Sequence, residues 1–270
     1  MGKLEIGKAI SDLFGGYNYD TKVSVEGKAE SGVTISATGV KKGDAVNGDL
    51  KGSYTVCKGF SVEGAVNQAG KLSAKAEVKE LAPGMPLKAT LTGNLPDISS
   101  GKLALFYEQK ALNLKCDMGI SAAPKIDLGA IVKVGAVIFG GDVSYDSARG
   151  AVTKYPLGAT YAMNDVTLTG KVEDKLDTIK VSYVQTVSPT FTVGAEIARM
   201  LTPKTTAFKL GAEMKLEGSS KVKGCLDSKG IVGLQYKTPI NDKTSLTVCA
   251  SFDSKKLDQS AKVGIQLAYK

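Results

Sequence analysis

The 270-residue chain has no histidine and no tryptophan, and aromatic residues make up only 6% of it. Without imidazole there is no Ser-His-Asp triad, no histidine acid–base step and no zinc site that needs a histidine ligand. The four cysteines, Cys57, Cys116, Cys225 and Cys249, lie far apart with no CxxC pair, the usage of a reducing compartment. No glycine-rich phosphate loop of the P-loop or dinucleotide type is present, and no acid, base or nucleophile constellation stands out from solvated charge. An enzyme is therefore the least favoured reading. Long apolar runs are missing too: nothing approaches the roughly 18 consecutive apolar residues of a membrane helix, so only a closed barrel would cross a bilayer. The N-terminal region lacks the apolar core and cleavage site of a signal peptide, and arginine is sparse there. These absences disfavour secretion, a bacterial outer membrane and a cleaved mitochondrial presequence.

What the chain does have is alternation. In the last eleven residues, Ala261, Val263, Ile265, Leu267 and Tyr269 are apolar, whereas Lys262, Gly264 and Gln266 between them are small or polar. Strand side chains alternate faces, so this stretch has one apolar and one wet side. Ten such residues, tilted near 45°, cover roughly 24 Å, about the height of the apolar band of a membrane barrel. Period-2 segments of this kind recur from Thr21 to Tyr269, each bounded by Gly, Asn, Asp, Ser or Pro. Nineteen are counted. Val152–Met163 is one of them, and Val137–Tyr145 is the least regular. The 31 glycines and short connections suit an up-and-down meander, and no composition break divides it. Before the strands, Leu4–Phe14 reads as one amphipathic helix with Ile6, Ala9, Ile10, Leu13 and Phe14 on one face, ended by a flexible joint at Gly15-Gly16. The expected organisation is 1–16 as helix and hinge and 17–270 as an all-β barrel.

The formal charge is +8, from 35 basic against 27 acidic residues. Its placement matters more than its size. Lys51, Lys71, Lys75, Lys102, Lys115, Lys125, Lys133, Lys171, Lys180, Lys209, Lys215, Lys221, Lys223, Lys237 and Lys262 all fall on the polar side of their segments. Facing inward in a closed barrel, they would line a water-filled lumen of positive potential that attracts anions and hinders cations. Periodicity alone leaves open a soluble β-protein whose exterior these lysines solubilise. Nucleic acid is not expected, since the basic residues are spread over all strands without interleaved aromatics.

Several stretches resemble the mitochondrial porins, the voltage-dependent anion-selective channels, and are most similar to their plant-type members. The helix with Ile6-Gly7-Lys8-Ala9 and Asp12-Leu13-Phe14 is similar to that family's N-terminal segment. Asp142-Val143-Ser144-Tyr145-Asp146-Ser147-Ala148-Arg149-Gly150 with Val152-Thr153-Lys154 resembles its hairpin motif. Ser100-Gly101-Lys102, Leu105-Phe106-Tyr107 and Ser260-Ala261-Lys262-Val263-Gly264 match plant-type wording, and Lys262, Gly264, Leu267 and Tyr269 fit its sorting pattern. The likeness runs nearly end to end in order.

The resemblance implies a transmembrane 19-stranded β-barrel whose first and last strands pair in parallel, with the short N-terminal amphipathic helix inside the pore. Because that family is the known nineteen-strand case, the strand count is no independent derivation. It further implies a voltage-gated, weakly anion-selective diffusion channel for small metabolites and adenine nucleotides in the mitochondrial outer membrane, with the plastid outer envelope as the other location. Membrane lipid, small anions and further copies of the chain are the implied partners. No cofactor is required; ATP, ADP and NADH are permeant or pore-binding ligands. Positions similar to the family's nucleotide contacts are Lys8, Ile231, Val232, Gly233, Cys249, Ala250, Ser251, Phe252 and Asp253. A second N-terminal lysine of that family falls at Gly15-Gly16 and is missing. The membrane-facing glutamate of some animal members aligns with Gly64, beside Glu63, which is expected to face the lumen. The rival readings are a protein-import channel of the same membrane and a soluble β-binding protein.

Overall fold

The computed structural model describes residues 5–43, 45–79, 87–95, 100–258 and 260–270. After a helix, α1 (Lys8–Phe14), come β1 (Thr21–Lys28), β2 (Val33–Lys42), β3 (Ala45–Cys57), β4 (Phe60–Asn67), β5 (Leu72–Val78), β6 (Leu87–Leu95), β7 (Gly101–Glu108), β8 (Leu112–Ile120), β9 (Lys125–Val134) and β10 (Val137–Asp146). The second half contains β11 (Ala151–Lys154), β12 (Leu157–Met163), β13 (Val166–Glu173), β14 (Thr178–Ser188), β15 (Phe191–Met200), β16 (Thr206–Lys215), β17 (Lys221–Asp227), β18 (Ile231–Pro239), β19 (Thr244–Asp253) and β20 (Lys262–Tyr269). Neighbours in sequence are antiparallel neighbours in a single sheet.

Two of these segments are halves of one stave. β11 pairs with the Ser144–Asp146 end of β10 and β12 with its Val137–Gly141 end. Between them lies Tyr155-Pro156. Proline has no N–H for the ladder, and the Pro156 carbonyl instead accepts the Asp142 N–H at 3.0 Å. The expected Val152–Met163 strand is therefore present but interrupted, and the barrel has nineteen staves. The Val137–Tyr145 segment, irregular in pattern, pairs continuously with β9 from Val137 to Asp146. In a meander an odd number of staves leaves the first and last pointing the same way, so closure must be parallel. It is: β1 runs beside β20 from Lys22↔Gln266 to Val25↔Tyr269.

Directly paired residues share a face of the sheet, so the registers carry one face around the whole barrel. One face holds Leu50, Leu91, Leu114, Leu128, Phe139, Tyr161, Val181, Ile197, Leu210, Leu234 and Ile265, all about half exposed. Its charged residues in the described strands are Lys41 and Arg199, each next to last in its strand. Tyr54, Tyr107, Tyr161, Tyr236 and Tyr269 also lie on it, near the ends of strands that run parallel to β1, so one rim of this face carries a tyrosine belt of the kind found at membrane–water boundaries. Buried apolar side chains among the described residues are only Ile10, Leu13, Val184 and Cys249. A soluble β-protein of this size would hide its large apolar residues; here they stand outside, and the soluble reading fails.

Alternation across one peptide bond makes this testable. A spin label at Leu114 is expected to be accessible to oxygen and one at Lys115 to a polar relaxant, in protein reconstituted in lipid; both labels responding as in water contradicts the assignment. Leu210→Arg, at mid-strand on the apolar face, should lower stability in lipid vesicles by about 2–4 kcal/mol, measured by denaturant unfolding, while Lys209→Gln beside it should change it far less.

Candidate functional site

The helix is shorter than its pattern predicts. Gly7 sits at φ 69 as the N-cap, so the regular turns begin at Lys8 and span 7 residues, and Leu4 lies outside the described residues. The Gly7 N–H is donated to Thr160 Oγ1 at 2.9 Å rather than into a longer helix, and Thr160 is itself 3.1 Å from Thr169 Oγ1. The expected apolar stripe is intact: Ile10 and Leu13 are buried against Val184, with Ala9 and Phe14 beside them.

The wall beneath this stripe is made of glycine. A Cβ at Gly140 or Gly158 would meet Ile6, one at Gly194 would meet Leu13, and one at Gly211 would meet Phe14. Elsewhere Lys223 Nζ donates to the Asp12 carbonyl, placing a cation at the negative end of the helix. That ammonium is 3.2 Å from Glu213, and both side chains are largely hidden. At the joint, Gln235 Nε2 donates to the Gly16 carbonyl at 2.6 Å. The two hinge glycines differ in their reasons. Gly15 leaves room for the Ser11 carbonyl, whereas Gly16 adopts φ 88. Thr160, Thr169, Val184, Gly194, Gly211, Lys223 and Gln235 all share the face opposite to the apolar belt, so the helix lies on the polar side of the wall.

Of the fifteen lysines singled out by pattern, fourteen lie within strands on this same polar face, and Lys71 stands one residue before β5 in matching phase. Many are compensated there. Lys51 faces Glu63, Lys75 faces Glu77, Lys115 faces Asp117, Lys125 faces Asp146, and Lys180 faces Glu173; Lys221 and Lys223 share Glu213. Among the described residues, Lys71, Lys102, Lys133, Lys171, Lys209, Lys215, Lys237 and Lys262 have no carboxylate within bridging distance. Pattern reading missed Lys22, Lys28, Lys42, Lys88 and Lys154 on the same face. All five stand at or next to a strand end, where alternation is shortest; Lys154 also follows the β10–β11 bulge, but Lys22 and Lys88 were visible in the phase of their strands.

The positions that resemble nucleotide contacts divide between the two faces. Ile231, Gly233, Cys249, Ser251 and Asp253 lie on the polar side; Val232, Ala250 and Phe252 point to the apolar belt, so the set does not form one contact surface. Tyr19 already stands over part of it: a Cβ at Gly233 would meet the Tyr19 hydroxyl, and one at Gly264 the Tyr19 backbone. Lys8, on the helix, pairs with Asp12 at 3.2 Å. Gly64 lies on the apolar face and Glu63 on the polar one, as expected.

With a closed barrel, a lysine-rich face and a docked helix in place, comparison with known proteins is direct. The family model described as Eukaryotic porin matches residues 4–264. The chain belongs to the eukaryotic porin family. It is 32% identical to mitochondrial outer membrane protein porin 1 of Arabidopsis thaliana, over 98% of this chain and 96% of that one. It is 31% identical to the corresponding porin 1 of Oryza sativa subsp. japonica, over 98% and 97%. The outer plastidial membrane protein porin of Pisum sativum is 28% identical, over 98% and 96%. Among solved structures, a triple mutant of Rhodopseudomonas blastica porin superposes with a TM-score of 0.51 at 8% identity, covering 90% of this porin and 94% of that chain, a likeness of fold alone.

The glycine seat predicts a specific lesion. Gly194→Val should push Leu13 off the wall while leaving the strand pairing intact. A spin label at exposed Ser11 should then become rotationally mobile. Unchanged label mobility would show that the helix is held without the seat.

Proposed function

We infer that this porin is a voltage-gated, weakly anion-selective diffusion channel for small metabolites in the mitochondrial outer membrane, with a plastid outer envelope as the alternative location. The polar face encloses water and the apolar face meets lipid. What carries the reading is the segregation of charge: the strand lysines share one face of a closed wall, and that face also bears the helix. A lumen lined this way concentrates anions and repels cations. Because many of the lysines are paired with carboxylates on the same face, the net field is modest, and the preference is weak.

The helix lies within the lumen and narrows it. Its own charges nearly cancel, with Lys8 against Glu5 and Asp12, and a charge crossing the full membrane potential gains only about 2.3 kcal/mol per 100 mV. Voltage therefore acts only weakly on the helix, through the small charge that its movement displaces. The passage of ATP, ADP and NADH fits the same wall, since each is an anion; the channel performs no chemical step on them. Export or import of protein is the weaker reading, because a docked helix occupies part of the cross-section.

Reversal potentials in a planar bilayer under a salt gradient test this function. The open state should favour chloride over potassium by a small factor. Lys133→Glu, Lys171→Glu and Lys209→Glu together, none of which breaks an ion pair, should bring the reversal potential to zero or to cation preference. Cation preference in the unaltered protein would overturn the proposal.

A further inference from the structure

The polar face contains an arrangement that a sheet ordinarily avoids. Lys215, Lys221 and Lys237 are direct partners across three adjacent strands, Lys215↔Lys221 and Lys221↔Lys237. Like charges set directly opposite each other in a ladder are destabilising, and strands lie about 4.8 Å apart, so three ammonium stems rise side by side within about 10 Å. Lys223 adds a fourth charge two residues along β17. The carboxylate within reach is Glu213, which sits 3.5 Å from Lys221 and 3.2 Å from Lys223. Among the described residues Lys215 donates only to the Pro189 carbonyl, at 3.2 Å. Lys237 has no ion partner among the described residues. Glu217 and Asp242, in the turns above the same strand ends, pair with none of the three. Elsewhere on this face direct opposition goes no further than a pair, Lys171↔Lys180, in which Lys180 has Glu173; Lys51, Lys75, Lys88 and Lys115 each have a carboxylate of their own, and Lys102, Lys133, Lys209 and Lys262, without one, are opposite no lysine.

The same cross-strand row continues as hydrogen-bond donors. Lys237 is opposite Thr247, and Thr247 is opposite Gln266, whose buried amide nitrogen finds no acceptor. The row thus offers cations, then neutral donors, and lacks acceptors that carry charge. It stands where β16 and β18 end and β17 begins, at one mouth of the barrel.

We propose that the row Lys215–Lys221–Lys237 is a binding subsite for a compact oligophosphate, a chain of adjacent phosphate groups that carries at least three negative charges. The inference rests on the channel reading, which makes this face an aqueous lumen. A single phosphate or chloride satisfies one ammonium and leaves the others opposed. A chain of phosphates carries several charges on one compact body, which the flexible lysine side chains of adjacent strands can reach together, and so relieves the repulsions at once by charge-assisted hydrogen bonds. The subsite slows such anions at the mouth without excluding smaller ones.

The test uses the full chain in a planar bilayer, with inorganic triphosphate as probe and orthophosphate and ATP as comparisons. Triphosphate should block single-channel current in resolvable events, orthophosphate should not, and ATP should match triphosphate within about threefold if the phosphate chain is what is recognised. Lys237→Gln should raise the half-blocking concentration of triphosphate about tenfold, the loss of one charged contact; Lys237→Arg should leave it nearly unchanged, and chloride preference should barely move in either. Equal block of unaltered and Lys237→Gln channels overturns the subsite while leaving the channel function intact, and so does orthophosphate blocking as well as triphosphate. Absence of any conductance instead refutes the channel reading. In that case titration of detergent-solubilised protein by triphosphate, followed by amide chemical shifts, still decides the subsite: shifts centred on β16–β18 uphold it, and shifts elsewhere or none reject it.

Discussion

The structure depends on one constraint: in hydrocarbon, every backbone N–H and C=O in a spanning wall must find a partner within the wall. A sheet meets this only when its edges meet each other. With nineteen staves the edges are parallel, and the four-residue seam between β1 and β20 is the join that removes them. Closure forces every other feature. Once the wall has no edge, a strand can satisfy its side chains in only two environments, and the period-2 pattern sorts them. Lysine goes to one side and leucine, valine and tyrosine to the other, with Lys41 and Arg199 as charged exceptions near strand ends, where a long side chain reaches the interface.

That sorting leaves the protein almost without a core, and the helix is where one forms. Among the described residues Ile10, Leu13 and Val184 make the single buried apolar cluster, and it lies on the face otherwise given to charge. An apolar stripe on a polar wall needs close approach, since few apolar partners are available. Glycine at positions 140, 158, 194 and 211 provides it by letting Ile6, Leu13 and Phe14 reach the backbone of the wall. The contact is small, and its polar ties include Thr160 at one end and Lys223 and Gln235 at the other. Segments held by little buried area open at low free energy. The helix is therefore the element of this barrel best suited to two positions, while the strands, tied on both sides, have one.

Much of this was legible in the sequence because period 2 is a local property. Ala261 to Tyr269 states its two faces without reference to any other strand, and the fifteen lysines were assigned to one side from neighbours two residues away. Features set by a single backbone angle or a missing donor were harder to see. Gly7 shortens the helix, because nothing in the Leu4–Phe14 pattern says that its backbone turns left-handed. Pro156 breaks a stave whose side chains alternate on either side of it. The residues that resemble nucleotide contacts were read as a contiguous set, yet contiguity in a strand guarantees division: Val232, Ala250 and Phe252 face away from Gly233, Cys249 and Ser251. What no local pattern contains is register. That Lys215, Lys221 and Lys237 oppose one another follows only once β16, β17 and β18 are aligned.

Register also separates two properties that net charge would merge. Bulk selectivity reflects the average field over the lumen, and carboxylates such as Glu63, Glu77, Glu108 and Glu173 on the same face reduce that average by pairing with lysines. Recognition of a multiply charged solute reflects the local field, and at the ends of β16–β18 the one carboxylate, Glu213, bridges Lys221 and Lys223 and leaves Lys215 and Lys237 uncompensated. A wall can then be nearly indifferent to chloride and still hold a chain of phosphates, because pairing lowers the mean without touching the row where three lysines in succession face each other. Screening sharpens the distinction: over a Debye length of about 8 Å at physiological ionic strength, isolated lysines around a wide lumen act almost independently, whereas three on adjacent strands act together.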